Sequence, residues 1–551
     1  MAGPGDPEPP ALDPGFEDVH ALARLVLARN PAPRNLLDVA VVLEAEGYVD
    51  AVARRLGYAN VFRLAEAVEA VLPLYAIPQP LPAPVPDSWV RQATADYLRG
   101  LGYSLPWILS VGVLFGFRVA LWAAFSTAPR IATVISLAFF TATLAAGAVA
   151  QMMARRGLFY LLQRNRPLFR WTLRRFLVDG GAAALLLIAL VYRLGVAPRY
   201  PRADGLVFLE FALAILAFQL ALAPLYMLRR ALSLALATAA ALAVTVAAVH
   251  WLWPLTGPAS LAGAALRRAQ LLGLAVGTAA ALTAAFGRRA VRQAEAGLVG
   301  EHPLATAPAE QVRPPHWGVV VTLTLPYGLY GAAYFALLFA DRLVAGVHYG
   351  LRLGRSAYLY PAGYEAATDL ALLVLLPLTG LVFLFIEAFG RRFPALARQT
   401  PLHRYRGLRR QLARRFAGEL LVLTAAGLLT AHLLPGLLLT ALPPALTGPL
   451  LGPTAAPFRR ALAQAALAYG LLPAGLLASQ YLFFLGRPRP PLAAAVLGTL
   501  VNLGVGAWAV GAGDAHAVRG LLAGSLVFTA GTAAAAWWSL ARGEETYYAA
   551  F

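Results

Sequence analysis

Two stretches decide how this chain is read: PYGLYGAAYFALLFADRLVAG (Pro326–Gly346) and YEAATDLALLVLLPLTGLVFLFIEAFG (Tyr364–Gly390). Each is apolar enough to cross a bilayer, which takes about 20 residues of helix. Yet between them they carry Asp341, Arg342, Glu365, Asp369 and Glu387. A charged side chain at the bilayer centre costs about 2.5–3.5 kcal/mol on insertion scales, so charges set there signal a partner or a task.

The rest of the chain supplies the membrane setting. Hydrophobic residues make up 59% of the 551 and charged ones 13%, well below the roughly one-quarter charged of a soluble domain. Twelve apolar windows of spanning length follow one another, the first placed at Tyr103–Ala124 and the seventh and eighth at Trp317–Ala340 and Tyr364–Phe389. Apolar residues run all round these windows rather than along one stripe, as expected of helices in lipid or in a bundle interior. The expectation is an all-α polytopic membrane protein with 12 transmembrane helices.

Absences exclude several function classes. There is no cysteine, which removes disulfides, thiolate metal sites and thiol nucleophiles. Every one of the 46 basic residues is arginine; without lysine there is neither a Walker A motif nor a Schiff-base lysine. The histidines are scattered, with no metal-ligand spacing. No cofactor and no metal is expected, and the chain reads as no enzyme.

The net charge of +19 reports topology rather than nucleic-acid binding. Arginine concentrates in Arg155–Arg175 and Arg391–Arg415, the loops after spans 2 and 8. By the positive-inside rule these loops and both termini are cytoplasmic, in contact with anionic lipid of the cytoplasmic (inner) membrane.

The first hundred residues differ, holding 13 acidic and 8 basic residues. Helical spacing over Glu17–Leu27, Arg34–Glu46, Val49–Leu56 and Val61–Leu74 predicts a small helical module. The linker AIPQPLPAPVP and an amphipathic helix, DSWVRQATADYLRG with Asp87 as N-cap, follow. The organisation expected is a cytoplasmic module with Pro-rich linker over 1–86 and a first six-helix lobe over 87–286, including the amphipathic lead-in. A cytoplasmic linker over 287–316 and a second lobe over 317–551 complete it. Long basic loops at equivalent places in both halves suggest two parallel six-helix lobes around a cavity, an arrangement found among secondary transporters.

In that topology Asp341 and Arg342 end span 7 at the depth where Glu365 and Asp369 begin span 8. The latter pair, four apart, share a helical face. Two readings stand: a gate or sugar-binding cluster facing a water-filled cavity, or an ion-pair network fixing spans 7 and 8. Aromatic residues crowd the same region, Tyr334 and Tyr364 among them, and aromatic faces stack on sugar rings. Arg118, placed within span 1, has no carboxylate on its own helix and is expected to face the cavity. Asp179 and Glu210 read as snorkelling at helix ends. Glu387 is expected to pair with Arg391 and Glu419 with Arg415, each one turn away.

The run GLYGAAYFALLFADRLVAG followed by YEAATDLALL resembles the Pel-type exopolysaccharide exporters, a branch of the multidrug/oligosaccharidyl-lipid/polysaccharide (MOP) superfamily. The matching residues are Asp341, Arg342, Tyr364, Glu365, Asp369 and Ala371–Leu373. The resemblance spans about sixty residues of the 551 and leaves the N-terminal hundred uncovered. It implies two six-helix lobes of MATE/MOP type that export or flip a polysaccharide or lipid-linked sugar across the cytoplasmic membrane. The implied partners are a cytoplasmic glycosyltransferase and other membrane subunits of an export complex. Rival expectations are a lipid-linked oligosaccharide flippase or a MATE-type drug exporter of the same fold. A membrane-embedded glycosyltransferase or polymer ligase is a weaker rival, because the outer loops are short and the longest holds no carboxylate.

Overall fold

The computed structural model describes residues 17–30, 33, 36–75, 89–162, 165–252, 259–286, 314–355, 357–399, 405–441 and 455–541. Among these, the regular elements are helices and no strand occurs. The linker 287–316 and the Pro-rich segment before residue 89 lie largely outside the described residues. The chain divides into two compact units, residues 1–92 with 388–412 and residues 93–387 with 413–551.

In the first unit, α1 (Glu17–Arg29), α2 (Leu36–Ala45), α3 (Asp50–Arg55) and α4 (Val61–Tyr75) coincide with the four stretches of helical spacing. Their apolar positions converge on one core that includes Val26, Leu43, Ala53, Leu64 and Val68. Local rules set the boundaries. Gly47 and Gly57 take φ of +91° and +87° just after α2 and α3, a conformation that spares glycine the Cβ clash. Asn60 accepts the backbone N–H of Arg63 at 3.0 Å, an N-cap for α4.

Among the described residues, twelve helices are long and apolar enough to span a membrane. Spans 1–6 are Trp89–Phe117, Pro129–Leu161, Pro167–Val196, Arg202–Met227, Ala231–Trp251 and Gly263–Phe286. Spans 7–12 are Trp317–Arg352, Ala362–Arg391, Gly407–Thr440, Ala456–Phe484, Arg489–Ala512 and Asp514–Ala541.

Their packing follows a rule. Spans 2 and 4, 4 and 6, and 5 and 6 pack together; so do 8 and 10, 10 and 12, and 11 and 12. Gly102 of span 1 lies against Ala231 of span 5, and span 7 packs on span 11. Adding six to each span number turns the first set into the second. Among the helix pairs that join the sets, two obey the same rule. Span 2 packs along span 7, and span 1 meets span 8, where Gly100 lies against Gly380 and Phe383. These two pairs also exchange when six is added, so the second set repeats the first about a two-fold relation.

Lipid gives apolar helices no hydrophobic reason to associate, so the joins rely on close backbone approach at small residues. Gly331 of span 7 is so close to span 2 that a Cβ there would sit 2.5 Å from the Gly147 carbonyl oxygen.

Span 1 departs from expectation. The amphipathic lead-in and the first span form one helix, Trp89–Phe117, and residues 118–124, counted as its apolar end, leave it. The chain turns at Arg118 (φ 63°) and doubles back through a single bridge between Val119 and Ala124. Gln270 of span 6 donates to the Ala120 carbonyl at 2.9 Å. That bond satisfies backbone which hydropathy alone would assign to helix.

Candidate functional site

The charged cluster forms where span 7 ends and span 8 begins. Asp341, Arg342 and Glu365 are buried, and the Asp369 side chain keeps 24% exposure. Arg342 Nη1 lies 2.6 Å from Glu365 Oε2 and 2.6 Å from Asp369 Oδ1, so one nitrogen serves both carboxylates. The four-residue spacing of Glu365 and Asp369 makes this possible, since it stacks them on one face. Asp341 takes a different partner: Tyr364 donates to its Oδ2 at 2.6 Å. Tyr469 of span 10 lies against Arg342 and Asp341. Three carboxylates around one guanidinium leave a formal excess of two negative charges.

The connection between spans 7 and 8 completes the cluster. Tyr358 donates to Glu365 Oε1 at 3.2 Å. Burial, then the Glu365 carboxylate, holds the Tyr358 and Tyr360 phenols well above their ordinary pKa, so both keep their protons. The Tyr358 ring fills the space beside Gly346, where an added Cβ would fall 2.1 Å from a ring carbon. A side chain at 346 and this ring exclude each other.

Span 8 is not one regular helix. Its first segment, Ala362–Ala371, passes through a 3₁₀ turn at Leu372–Val374 before Leu375–Gln399 resumes. Pro377 has no N–H and its ring crowds the carbonyl four residues back, at Leu373, which accounts for the change of pitch. The irregular turn begins three residues after Asp369.

The cluster faces a cavity of about 60 Å³, room for a few waters, between the two sets of spans. Arg342, Tyr360, Glu365 and Asp369 line one side. Trp107 of span 1, Trp122 of the following turn, and Phe139 and Phe140 of span 2 line the other. Trp122 and Phe139 are stacked with ring centroids 4.8 Å apart, and Trp107 meets both edge-on. Charged groups with hydrogen-bonding capacity thus oppose an aromatic wall.

Five of the seven expected site residues come together here: Asp341, Arg342, Glu365, Asp369 and Tyr364. Arg118 does not. It stands exposed beyond the end of span 1 and is absent from the cavity lining, because the helix stops one residue before it. Tyr334 lies two turns before Asp341 and packs on Tyr330, Phe335 and Phe528, within the second set of spans. Glu387 has a cross-helix partner, Arg229 from the turn between spans 4 and 5, at 2.8 Å. Glu419 pairs with Arg415 at 2.7 Å as spaced, and also accepts from Tyr481. Asp179 is held by Arg175 at 3.2 Å. Glu210 lies exposed eight residues inside span 4, too deep to be a helix-end residue.

Trp107, Trp122 and Phe139 were legible only as generic apolar residues, since nothing in their spacing marks a cavity wall. The pair Arg130–Asp204, in which an exposed guanidinium meets a buried carboxylate and ties span 2 to span 4, was hidden by a sequence separation of 74 residues.

No protein-family model matches this sequence, and no curated protein matches it. Solved structures do. An outward-facing multidrug-resistance MATE family transporter of the MOP superfamily aligns at TM-score 0.56 and 14% identity, covering 82% of this chain and 97% of that one. An inward-facing MATE family transporter gives 0.52 and 12%, over 81% and 96%. A MOP superfamily transporter from Pyrococcus furiosus gives 0.54 and 14%, over 83% and 96%. At such identities the likeness concerns architecture. The chain is a multi-pass membrane protein with the MATE/MOP fold.

Proposed function

We propose that this protein is a transporter that moves a polysaccharide or lipid-linked sugar across the cytoplasmic membrane through the space between its two six-helix lobes. One observation carries the reading: the cavity where the lobes meet sets Arg342, Glu365 and Asp369 opposite Trp107, Trp122 and Phe139. Sugars offer hydroxyls to charged groups and C–H faces to aromatic rings, so such a pair of walls suits them. The MATE/MOP fold agrees with a transporter, and the motif from Asp341 to Leu373 agrees with the Pel-type branch. On this reading both termini are cytoplasmic, and the helical module over residues 1–86 docks a glycosyltransferase that makes the cargo. No nucleotide motif is present, so energy comes from an ion gradient or from coupled synthesis.

The test is complementation of a deletion strain. Asp369→Ala and Trp122→Ala are expected to cut cell-surface polysaccharide at least tenfold while the protein still accumulates in the membrane. Unchanged polymer in both variants would refute the sugar pathway. Lost export of small cations with normal polymer would favour the drug-exporter alternative.

A further inference from the structure

Residues 357–361 connect spans 7 and 8 beside the cavity, and Tyr360 lines it. This segment bonds in three directions. Toward span 7, Leu359 N–H donates to the Gly346 carbonyl at 3.0 Å, and the Tyr358 ring fills the Gly346 cradle. Toward the cluster, the Tyr358 hydroxyl donates to Glu365. Toward the first lobe, the Tyr358 carbonyl accepts from the Tyr200 hydroxyl at 2.7 Å, and Tyr360 N–H donates to Thr133 Oγ1 at 2.9 Å.

The acceptors and donors on the first lobe are set in place. Thr133 is fully buried and spends its own proton on the Pro129 carbonyl at 2.7 Å, which turns its lone pairs toward Tyr360. The Tyr200 phenol, in the turn between spans 3 and 4, is pushed up to about 12 by burial against the opposing pull of Arg199, so it remains a donor. Phe140 of span 2 meets the Tyr358 ring edge-on with centroids 6.3 Å apart.

Tyr358 therefore has its hydroxyl in the charged cluster and its carbonyl in the bond that ties the lobes together. We propose that residues 357–361 form a strap whose hold on the first lobe depends on the Tyr358–Glu365 hydrogen bond. A ligand hydroxyl that donates to Glu365 takes the acceptor from Tyr358. The ring then loses the bond that seats it beside Gly346, the Tyr358 carbonyl loses its fixed position opposite Tyr200, and the cavity opens on this side. The ligand drives this only by binding the unstrapped form more tightly than the strapped one. The inference deepens the reading of the cavity as a substrate site, making Tyr358 a positioning residue that reports occupancy to the lobe junction.

The chain has no cysteine, so a single introduced thiol is unique. Ser136 of span 2 lines the cavity, and Ser136→Cys places the thiol inside it. The full chain in nanodiscs is treated with a bulky polar maleimide, with no substrate present, and the labelling rate is measured. Tyr200→Phe deletes one strap bond. Tyr358→Phe leaves both bonds to the first lobe chemically intact and removes only the link to Glu365. Both are expected to raise the labelling rate about threefold to tenfold, the span one hydrogen bond's net worth allows. Tyr226→Phe, which removes a hydroxyl bonded to Tyr103 elsewhere on spans 1 and 4, is expected to leave the rate unchanged.

An unaltered rate in Tyr358→Phe, with or without a rise in Tyr200→Phe, overturns the proposal, since the strap would then ignore the cluster. An equal rise in Tyr226→Phe also overturns it, because labelling would report general loosening. The assay needs no cargo, so its failure is distinct from a failure of the sugar-transport reading.

Discussion

Tyr364 donates its hydroxyl to Asp341 at 2.6 Å, across the gap between two spans. Asp341 is fully buried, and its other oxygen has no hydrogen-bond partner among the described residues. The neighbouring Arg342 directs its guanidinium to Glu365 and Asp369 instead. This one phenol therefore carries much of the solvation that Asp341 lost on burial.

Tyr364→Phe should accordingly destabilise the protein by about 1–3 kcal/mol, the penalty of orphaning a buried acceptor. The thermal unfolding midpoint in detergent would fall. Adding Asp341→Leu to Tyr364→Phe should recover part of the loss, because no buried carboxylate then remains without a donor. A double variant less stable than Tyr364→Phe would show that Asp341 draws its stabilisation from elsewhere.

Arg342 presents the complementary case. Breaking a buried ion pair from one side typically costs about 3–5 kcal/mol, since the remaining charge is stranded. Arg342→Ala leaves the buried Glu365 its Tyr358 hydroxyl but no cation, takes the cation from Asp369 as well, and is expected to lower the unfolding midpoint more than any other single change in the cluster. Arg342→Met with Glu365→Met should be milder than Arg342→Ala alone. Replacing buried ions by apolar side chains removes both the attraction and the desolvation cost. The comparison measures how much of the network holds spans 7 and 8 together.

How far all this was legible varies with the physics involved. Spans such as Arg202–Met227 and the helices of the N-terminal module announce themselves, because helical periodicity and hydropathy are local properties. The cluster from Asp341 to Asp369 was legible for a related reason, as charges in apolar sequence stand out and the i, i+4 spacing of Glu365 and Asp369 is local. Arg118 misled because residues 118–124 are apolar yet not helical. Their backbone is satisfied partly by Gln270, 150 residues away, and hydropathy measures transfer, not conformation. Glu387 shows the same limit. Its one-turn neighbour Arg391 was visible, whereas Arg229 is brought to it only by the fold.

Arg229 also allows two small effects to be compared. It adopts φ of 56°, a left-handed conformation that costs a non-glycine residue about 1–2 kcal/mol. Its pair with Glu387 joins side chains 46% and 16% exposed, and pairs open to solvent are worth about 0–1 kcal/mol. Arg229→Gly should therefore leave the unfolding midpoint unchanged or raise it slightly. A fall of several degrees would mean that the pair outweighs the backbone strain and is shielded from solvent.

The seam between spans 2 and 7 gives the last contrast, when one of its glycines is set against a glycine with open space around it. Gly112 of span 1 has open space where a Cβ would project. Alanine there gains about 0.8–1 kcal/mol of helix propensity at no steric cost, so Gly112→Ala should hold or raise the unfolding midpoint. Gly331→Ala gains the same propensity, but its Cβ would lie 2.5 Å from the Gly147 oxygen and 2.8 Å from Gln151 Cγ. The first of these is backbone and cannot swing aside, so the two helices must part and surrender the close packing that holds them in lipid. Overpacking of this kind costs about 1–3 kcal/mol, more than the propensity returns. Gly331→Ala should thus lower the midpoint where Gly112→Ala does not. Equal midpoints for the two variants would mean that spans 2 and 7 already separate freely, and that the glycine seam is not what keeps the lobes together.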